Sequence, residues 1–354
     1  MLELQIGRWL YRQDKDRSIY VCPSLPLILA TDKGRARNEN QDRVAAMRVH
    51  TGAPSNKSFI CVAVCDGMGG MRDGGIGATI ALSHFMTELV RLRRTPPIER
   101  LENAARYANK AVFNELKGKG GTTLSAILLE EQSLFSINIG DSRIYAEDVA
   151  AQRLTRMTVD DNLAEAFGGQ GAELVQFVGM GEGISPHINK IQDIPKTVII
   201  TSDGAHFFDE KVFSKAYLNA PDIVDGVDRL LSLADWLGSP DNATIAAFDF
   251  QEFSNTPISQ EGGCVEFWGP FGPLTLLWAN REMNEFSAGL PERKAETNQG
   301  EIRSSSADAS GNQKAATTRK KPTRKRATKK KQNSEKEDYG QLEIDVSIDR
   351  EERD

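Results

Sequence analysis

Apolar and polar positions along this chain follow two different periods. Four short runs, Phe59 to Val64, Leu134 to Ile139, Val198 to Thr201 and Ala243 to Ala247, are apolar at almost every position and predict buried β-strands. Thr123 to Leu129 and Leu134 to Ile139 flank Glu130-Glu131-Gln132-Ser133, which predicts a hairpin, with Arg143 to Ala146 and Gln152 to Thr155 as its continuation. Elsewhere the period is helical. Ala81, Phe85, Leu89 and Leu92 form one stripe, with Arg91, Arg93 and Arg94 near its end, where they suit the helix dipole. Leu101, Ala105, Ala108, Val112 and Leu116 form a second, ended by Gly118 and Gly120-Gly121. Ile223, Val227, Leu230, Ala234 and Leu237 form a third, stopped by Gly238 and Pro240.

These stripes are core faces. Strands that follow one another without an intervening helix pair antiparallel. Two helices precede the hairpins and two follow them. The expected fold is α+β, a four-layer α-β-β-α sandwich whose two central antiparallel sheets are flanked by helix pairs. Residues 26–250 carry this pattern, and residues 1–25 are expected to be an N-terminal extension. The weakly periodic stretch from Asp160 to Pro195, with Gly168-Gly169-Gln170-Gly171 inside it, predicts a surface flap over or beside a site. Residues 251–286 hold Phe253, Phe267, Trp268, Phe271, Leu277 and Trp278 broken by glycines and prolines. Extra edge structure and a partner-docking motif both fit them. Residues 287–354 turn polar and repetitive and are expected to be a disordered tail.

Composition refines this division. Of 354 residues 39% are hydrophobic, and the mean hydropathy is −0.43, in keeping with an unpacked segment. The net charge of −6 conceals an asymmetry: from 291 onward 16 basic residues face 13 acidic ones, so this surplus of three leaves the body at −9. Such a body is a poor nucleic-acid binder. Only the basic tail segment 319–331, followed by an acidic one at 335–354, could bind nucleic acid. Thr323 and Thr328 follow basic residues there and are candidate phosphorylation sites. Cys22, Cys61, Cys65 and Cys264 show no metal-type spacing and read as reduced thiols. No apolar stretch reaches membrane-span length, and the charged N-terminus does not read as a signal peptide, so a cytoplasmic location with no membrane partner is expected.

Five aspartates carry the chemistry. Asp42, Asp66, Asp141, Asp203 and Asp241 each stand at the end of an apolar run or in a Gly-rich turn. A carboxylate at the mouth of a buried strand is costly unless it is paired or holds a cation. Oxygen ligands without an accompanying set of histidines favour Mg²⁺ or Mn²⁺ over zinc. His50, His84, His187 and His206 are scattered, none at ligand spacing to a carboxylate or another histidine; His206 reads as a satisfied surface residue. Two divalent ions could lower the pKa of a shared water toward neutrality, for hydrolysis of a phosphate ester or an amide. Arg37, five residues before Asp42, can grip phosphoryl oxygens bidentately, which favours the ester.

Ordered motifs then resemble one family, the metal-dependent protein phosphatases of type 2C, especially compact bacterial members. They run from Arg37-Asn38-Glu39-Asn40-Gln41-Asp42 and Asp66-Gly67-Met68-Gly69-Gly70 through Gly121-Thr122-Thr123 and Gly140-Asp141-Ser142-Arg143. Leu154-Thr155 with Asp160-Asp161-Asn162, Thr201-Ser202-Asp203-Gly204 and Asp241-Asn242-Ala243-Thr244 complete the set. The resemblance implies a serine/threonine protein phosphatase in which a metal-bridging hydroxide attacks phosphorus directly. It implies two Mn²⁺ or Mg²⁺ ions with a possible third. Asp66 would bridge both ions and the Gly67 carbonyl would ligate one. Asp42 would hold the first, Asp203 and Asp241 the other, and Asp141 the third. Arg37 would bind phosphate and Gln41 would order metal-bound water. The implied partners are a phosphoprotein substrate and a cognate Ser/Thr kinase.

Three positions depart from the pattern. Met68 stands where eukaryotic relatives carry a histidine, Gln41 where some members have Glu, and Asp161 is either a further acidic ligand or a helix cap. A scaffold that binds phosphoproteins without hydrolysing them, acting with a partner kinase, is the alternative reading.

Overall fold

The structure is a computed structural model and describes residues 1–11, 16–50, 58–68, 73–168, 171, 173–192, 195–250, 252, 264–277 and 346–347. The chain divides into Met1–Asn280 with Glu343–Asp354 and a second unit, Arg281–Leu342, which lies wholly outside the described residues. The basic segment 319–331, Thr323, Thr328 and most of the acidic segment therefore also lie outside them.

Two antiparallel sheets form the centre. The first contains β1 (Arg17–Val21), β2 (Leu27–Asp32), β7 (Arg143–Asp148), β8 (Arg153–Arg156), β10 (Thr197–Thr201) and β11 (Ala243–Asp249), in the order β1-β2-β11-β10-β7-β8. The second contains β3 (Arg43–His50), β4 (Phe59–Cys65), β5 (Leu124–Glu130), β6 (Ser133–Ile139), β9 (His187–Ile191), β12 (Cys264–Gly269), β13 (Gly272–Leu277) and the two-residue β14 (Val346–Ser347). Its order is β14-β13-β12-β3-β4-β5-β6-β9.

Alternation within β4 shows why the apolar runs are continuous. Ile60, Val62 and Val64 enter the layer between the sheets, while Phe59, Cys61, Ala63 and Cys65 face the helices. A strand covered on both sides has no polar face to display. Helices α2 (Gly74–Arg91) and α3 (Pro97–Leu116) cover the larger sheet, and α6 (Glu210–Leu218) and α7 (Ile223–Trp236) cover the smaller one. The short helices α4 (Leu163–Phe167) and α5 (Asp203–His206) sit in connections. The four-layer α+β expectation holds.

Three details refine the sequence reading. The strands Arg143–Asp148 and Arg153–Arg156 do not continue the β5–β6 hairpin; the chain crosses at Gly140-Asp141-Ser142 and joins them to the other sheet through β10. Apolar pattern marks a strand without saying which sheet it enters, and Gly140, at φ 98°, makes the crossing turn. Residues 1–25 are built into the layers: β1 is an edge strand, and Ile6 and Leu10 of α1 (Leu2–Tyr11) are buried against the α2 layer. Within 251–286, β12 and β13 form a hairpin that extends the larger sheet beside β3, the edge-structure alternative.

Candidate metal centre

Antiparallel pairing places the five aspartates. Arg43 opens β3 opposite Cys65, the last residue of β4, so Asp42 and Asp66 flank the same end of the larger sheet. In the smaller sheet Thr201 pairs with both Arg143 and Ile245, so Asp141 before β7, Asp203 after β10 and Asp241 before β11 meet at one end too. The two ends coincide. Asp42 accepts from Ser202 beside Asp203, and the Asp66 and Asp203 carboxyls lie close enough to shift each other's ionisation.

The acids are buried in one another's field. Burial, with Asp203 and Asp241 adding charge, raises the Asp42 carboxyl to about 7 even though Thr244 and Ser202 donate hydrogen bonds to it. Burial likewise lifts Asp66 well above the carboxylate range, and Asp42, Asp203, Asp141 and Asp241 all push it further. Asp141 rises to about 7 through burial and the charges of Asp203 and Asp160. Asp203 rises for the same first reason, then through Asp241, with Asp66 and Arg37 working against it.

The loop 33–42 is fastened by one side chain. Asn242 donates from Nδ2 to the carbonyls of Lys33 (2.8 Å) and Glu39 (3.0 Å), and its Oδ1 accepts from Gln41 N at 2.8 Å. Gly34, at φ 70°, lets this loop pass so close that a Cβ would stand 3.0 Å from the Asp241 carbonyl. Arg37 Nη2 donates to Asp241 Oδ2 at 2.5 Å, and its Nε donates to the Pro240 carbonyl at 3.2 Å. Its side chain is about one third exposed, at the mouth of the site. Ser202 Oγ donates to Asp42 Oδ2 at 2.8 Å and itself accepts from Thr244 N at 2.9 Å. Thr123 Oγ1 accepts from Asp66 N at 2.9 Å, while Thr122 Oγ1 donates to the Asp66 carbonyl at 2.7 Å. Gly67 bridges Thr122, and a Cβ on it would stand 2.5 Å from Gly74, so backbone meets backbone there.

The structure brings Arg37, Gln41, Asp42, Asp66, Gly67, Asp141, Asp203 and Asp241 together at this end. Gly69 and Gly70 lie outside the described residues. Ser202, Asn242, Thr122 and Thr123 stood inside the motifs, but nothing in their spacing gave them a task; adjacency to an essential acid was the signal.

Two other readings are corrected. Asp161 is not the cap, and protein partners take up both of its carboxylate oxygens. Its Oδ2 accepts from Gly140 N (2.9 Å) and Gln176 Nε2 (2.8 Å), its Oδ1 lies 2.8 Å from His187 Nε2, and Asn162 caps α4. His206 is buried, bonded to Thr201 Oγ1 at 2.8 Å, and burial drives its pKa well down. The flap expectation is met only in part: Val178 pairs with Thr122, which fixes that stretch of 160–195 against the sheet, while 169–170, 172 and 193–194 lie outside the described residues.

The donor set fits hard divalent cations. Asp42 Oδ1, Asp203 Oδ1 and Gln41 Oε1 are buried without a hydrogen-bond partner among the described residues. Buried acceptors left bare beside mutually repelling carboxylates are what a cation with oxygen preference satisfies.

Comparison with known proteins agrees with the geometry. A family profile described as protein phosphatase 2C matches residues 34–238. The serine/threonine protein phosphatase PstP of Mycobacterium tuberculosis is 26% identical over 247 residues, covering 63% of this chain and 44% of that protein. The chain thus spans less than half the length of this curated relative. Among solved structures, the PPM Ser-Thr phosphatase MsPP of Mycobacterium smegmatis, in complex with cacodylate, is 27% identical with a TM-score of 0.53, over 65% of this chain and all of that one. The catalytic domain of PstP, in complex with two manganese ions, is 25% identical with a TM-score of 0.51, over 63% and 96%. With the profile spanning more than half of its residues, this chain belongs to the protein phosphatase 2C family.

Proposed function

We propose that the chain is a metal-dependent protein phosphatase acting on phosphoserine and phosphothreonine. The observation that carries this reading is the meeting of five aspartates at one end of the sandwich, two of them with bare buried oxygens, beside Arg37 at the mouth. Asp66, whose neighbours include the other four, would bridge two Mn²⁺ or Mg²⁺ ions, with the Gly67 carbonyl on one. Asp42 would serve the first ion, Asp203 and Asp241 the second, and Asp141 a weaker third. When bound, such ions supply Lewis-acid charge and a water acidic enough to be a nucleophile at neutral pH.

The chain's own groups do the rest. Arg37 presents a planar fork of N–H donors, oriented by Asp241 and the Pro240 carbonyl, that suits two phosphoryl oxygens. As the ester bond breaks, charge grows on those oxygens and Arg37 offsets it. Ser202 and Asn242 keep Asp42 and the Arg37 loop in register. The bare Gln41 Oε1 would accept a hydrogen bond from an ordered water. Met68 cannot protonate a leaving alkoxide, so that proton comes from water or another residue. A phosphoprotein substrate implies a kinase that makes it.

The test is phosphate release from a phosphothreonine peptide. Turnover that requires Mn²⁺, stops with a chelator and returns on re-addition is the expected result. A folded preparation that binds Mn²⁺ yet releases no phosphate contradicts the reading. If it also holds an intact phosphoprotein stably, it is a binding scaffold instead.

A further inference from the structure

A second cluster of metal-ligating side chains lies in the larger sheet, between β3 and the β12–β13 hairpin that no family motif covers. His50, Cys264 and Glu266 each offer a ligand atom, and these atoms lie within 4.8 Å of one another. Register explains the meeting. β12 pairs antiparallel with β3 so that Cys264 faces His50 and Glu266 faces Arg48. All four share the sheet face that carries Ala46 and Trp268, the face turned toward the smaller sheet.

Glu266 is held by one oxygen. Its Oε2 accepts from Arg48 Nε and Nη2, both at 2.7 Å, and lies 2.8 Å from His50 Nε2; Oε1 takes part in none of these bonds. Burial opposes ionisation of Glu266, but the hydrogen bonds from His50 and Arg48 outweigh it and draw the carboxyl down to about 2. His50 is fully buried, and its Nδ1 has no hydrogen-bond partner among the described residues. Cys264 is a free, partly exposed thiol. An ion pair between Arg48 and Glu266 would account for two of the four residues. It leaves unexplained a thiol beside that carboxylate and a buried imidazole whose Nδ1 is bare.

We propose that His50, Cys264 and Glu266 form a second metal site, for a thiophilic divalent ion of the zinc class, which clasps the β12–β13 hairpin to β3. One sulfur, one imidazole nitrogen and one carboxylate oxygen suit Zn²⁺, with a water in the fourth position. Binding releases the Cys264 proton to solvent, and thiolate and carboxylate together balance the ion's two charges. Arg48 stays on Oε2 and orients the carboxylate from outside, its guanidinium 5.3 Å over the Trp268 ring. The five-aspartate centre has no sulfur ligand, so the two sites differ in the ion each prefers.

The experiment titrates Co²⁺ into the full chain, anaerobically, with excess Mn²⁺ occupying the oxygen-ligand centre. A near-ultraviolet sulfur-to-cobalt charge-transfer band should grow to one equivalent per chain and vanish when Zn²⁺ displaces the cobalt. Cys264→Ser should abolish the band while Mn²⁺-dependent phosphate release and the circular-dichroism spectrum stay as in wild type. Glu266→Gln should shift the band and weaken binding about 10-fold or more. No band in the folded wild-type chain, or a band that survives Cys264→Ser, overturns the proposal and leaves only an Arg48–Glu266–His50 ion-pair network.

Discussion

Ser202 touches no substrate in this account, yet it fixes one oxygen of Asp42 and leaves the other bare for a cation. Removing an outer partner of a metal ligand typically costs about 10–100-fold in affinity. Ser202→Ala should therefore raise the Mn²⁺ concentration for half-maximal activity by that factor, with the rate at saturating Mn²⁺ largely kept. A Mn²⁺ dependence equal to wild type would show that Asp42 needs no such support. Arg37 is tested differently. Lysine keeps the charge but loses the planar fork, and a charged hydrogen bond contributes roughly 1.5–3 kcal/mol. Arg37→Lys should thus lower kcat/KM about 10–100-fold with Mn²⁺ affinity unchanged. At this scale the sequence was informative about the acids and silent about their supports. An aspartate at the end of an apolar run is conspicuous because burying it is costly. A serine or asparagine beside it is ordinary until the fold shows which atoms it joins.

At the scale of elements, α1 is an integral part of the helical layer. Ile6 and Leu10 are fully buried against α2 and its sheet. Truncating either to alanine should cost about 2–5 kcal/mol, read as a lower urea midpoint at unchanged slope. A loss below about 0.5 kcal/mol would mark α1 as a loose appendage. The helical stripes of α2, α3 and α7 were legible because period 3.6 leaves an apolar face that only a core can accept. Sheet membership was not. Nothing in the residues of β7 states that the turn at Gly140 carries the chain across the sandwich. The β12–β13 hairpin was equally opaque, since Gly269-Pro270-Phe271-Gly272 breaks its apolar alternation and its partner β3 lies more than two hundred residues away.

For the whole molecule the acid cluster couples folding to pH and to metal. Asp42 and Asp141 titrate near 7 in the fold against an ordinary 3.8. Between those values the folded chain binds more protons than the unfolded one, so stability of the metal-free protein falls as pH rises from 3.8 to about 7. Mn²⁺ reverses the repulsion, so the rise in Tm that it produces should grow across the same window. A Tm gain from Mn²⁺ that is flat or shrinks with pH would contradict this. The convergence was expected from the sequence because five aspartates at the ends of apolar runs or in Gly-rich turns are costly to bury unless they share cations. Spacing could not reveal the pairing of His50 with Glu266 or of His187 with Asp161, which register alone creates. The most direct measurement of the central claim is calorimetric titration of Mn²⁺ into the metal-free chain and its Asp66→Asn variant. The account predicts two ions per wild-type chain, and loss of the pair with the fold intact in the variant. Absent binding by wild type, or two ions still bound by Asp66→Asn, would contradict it.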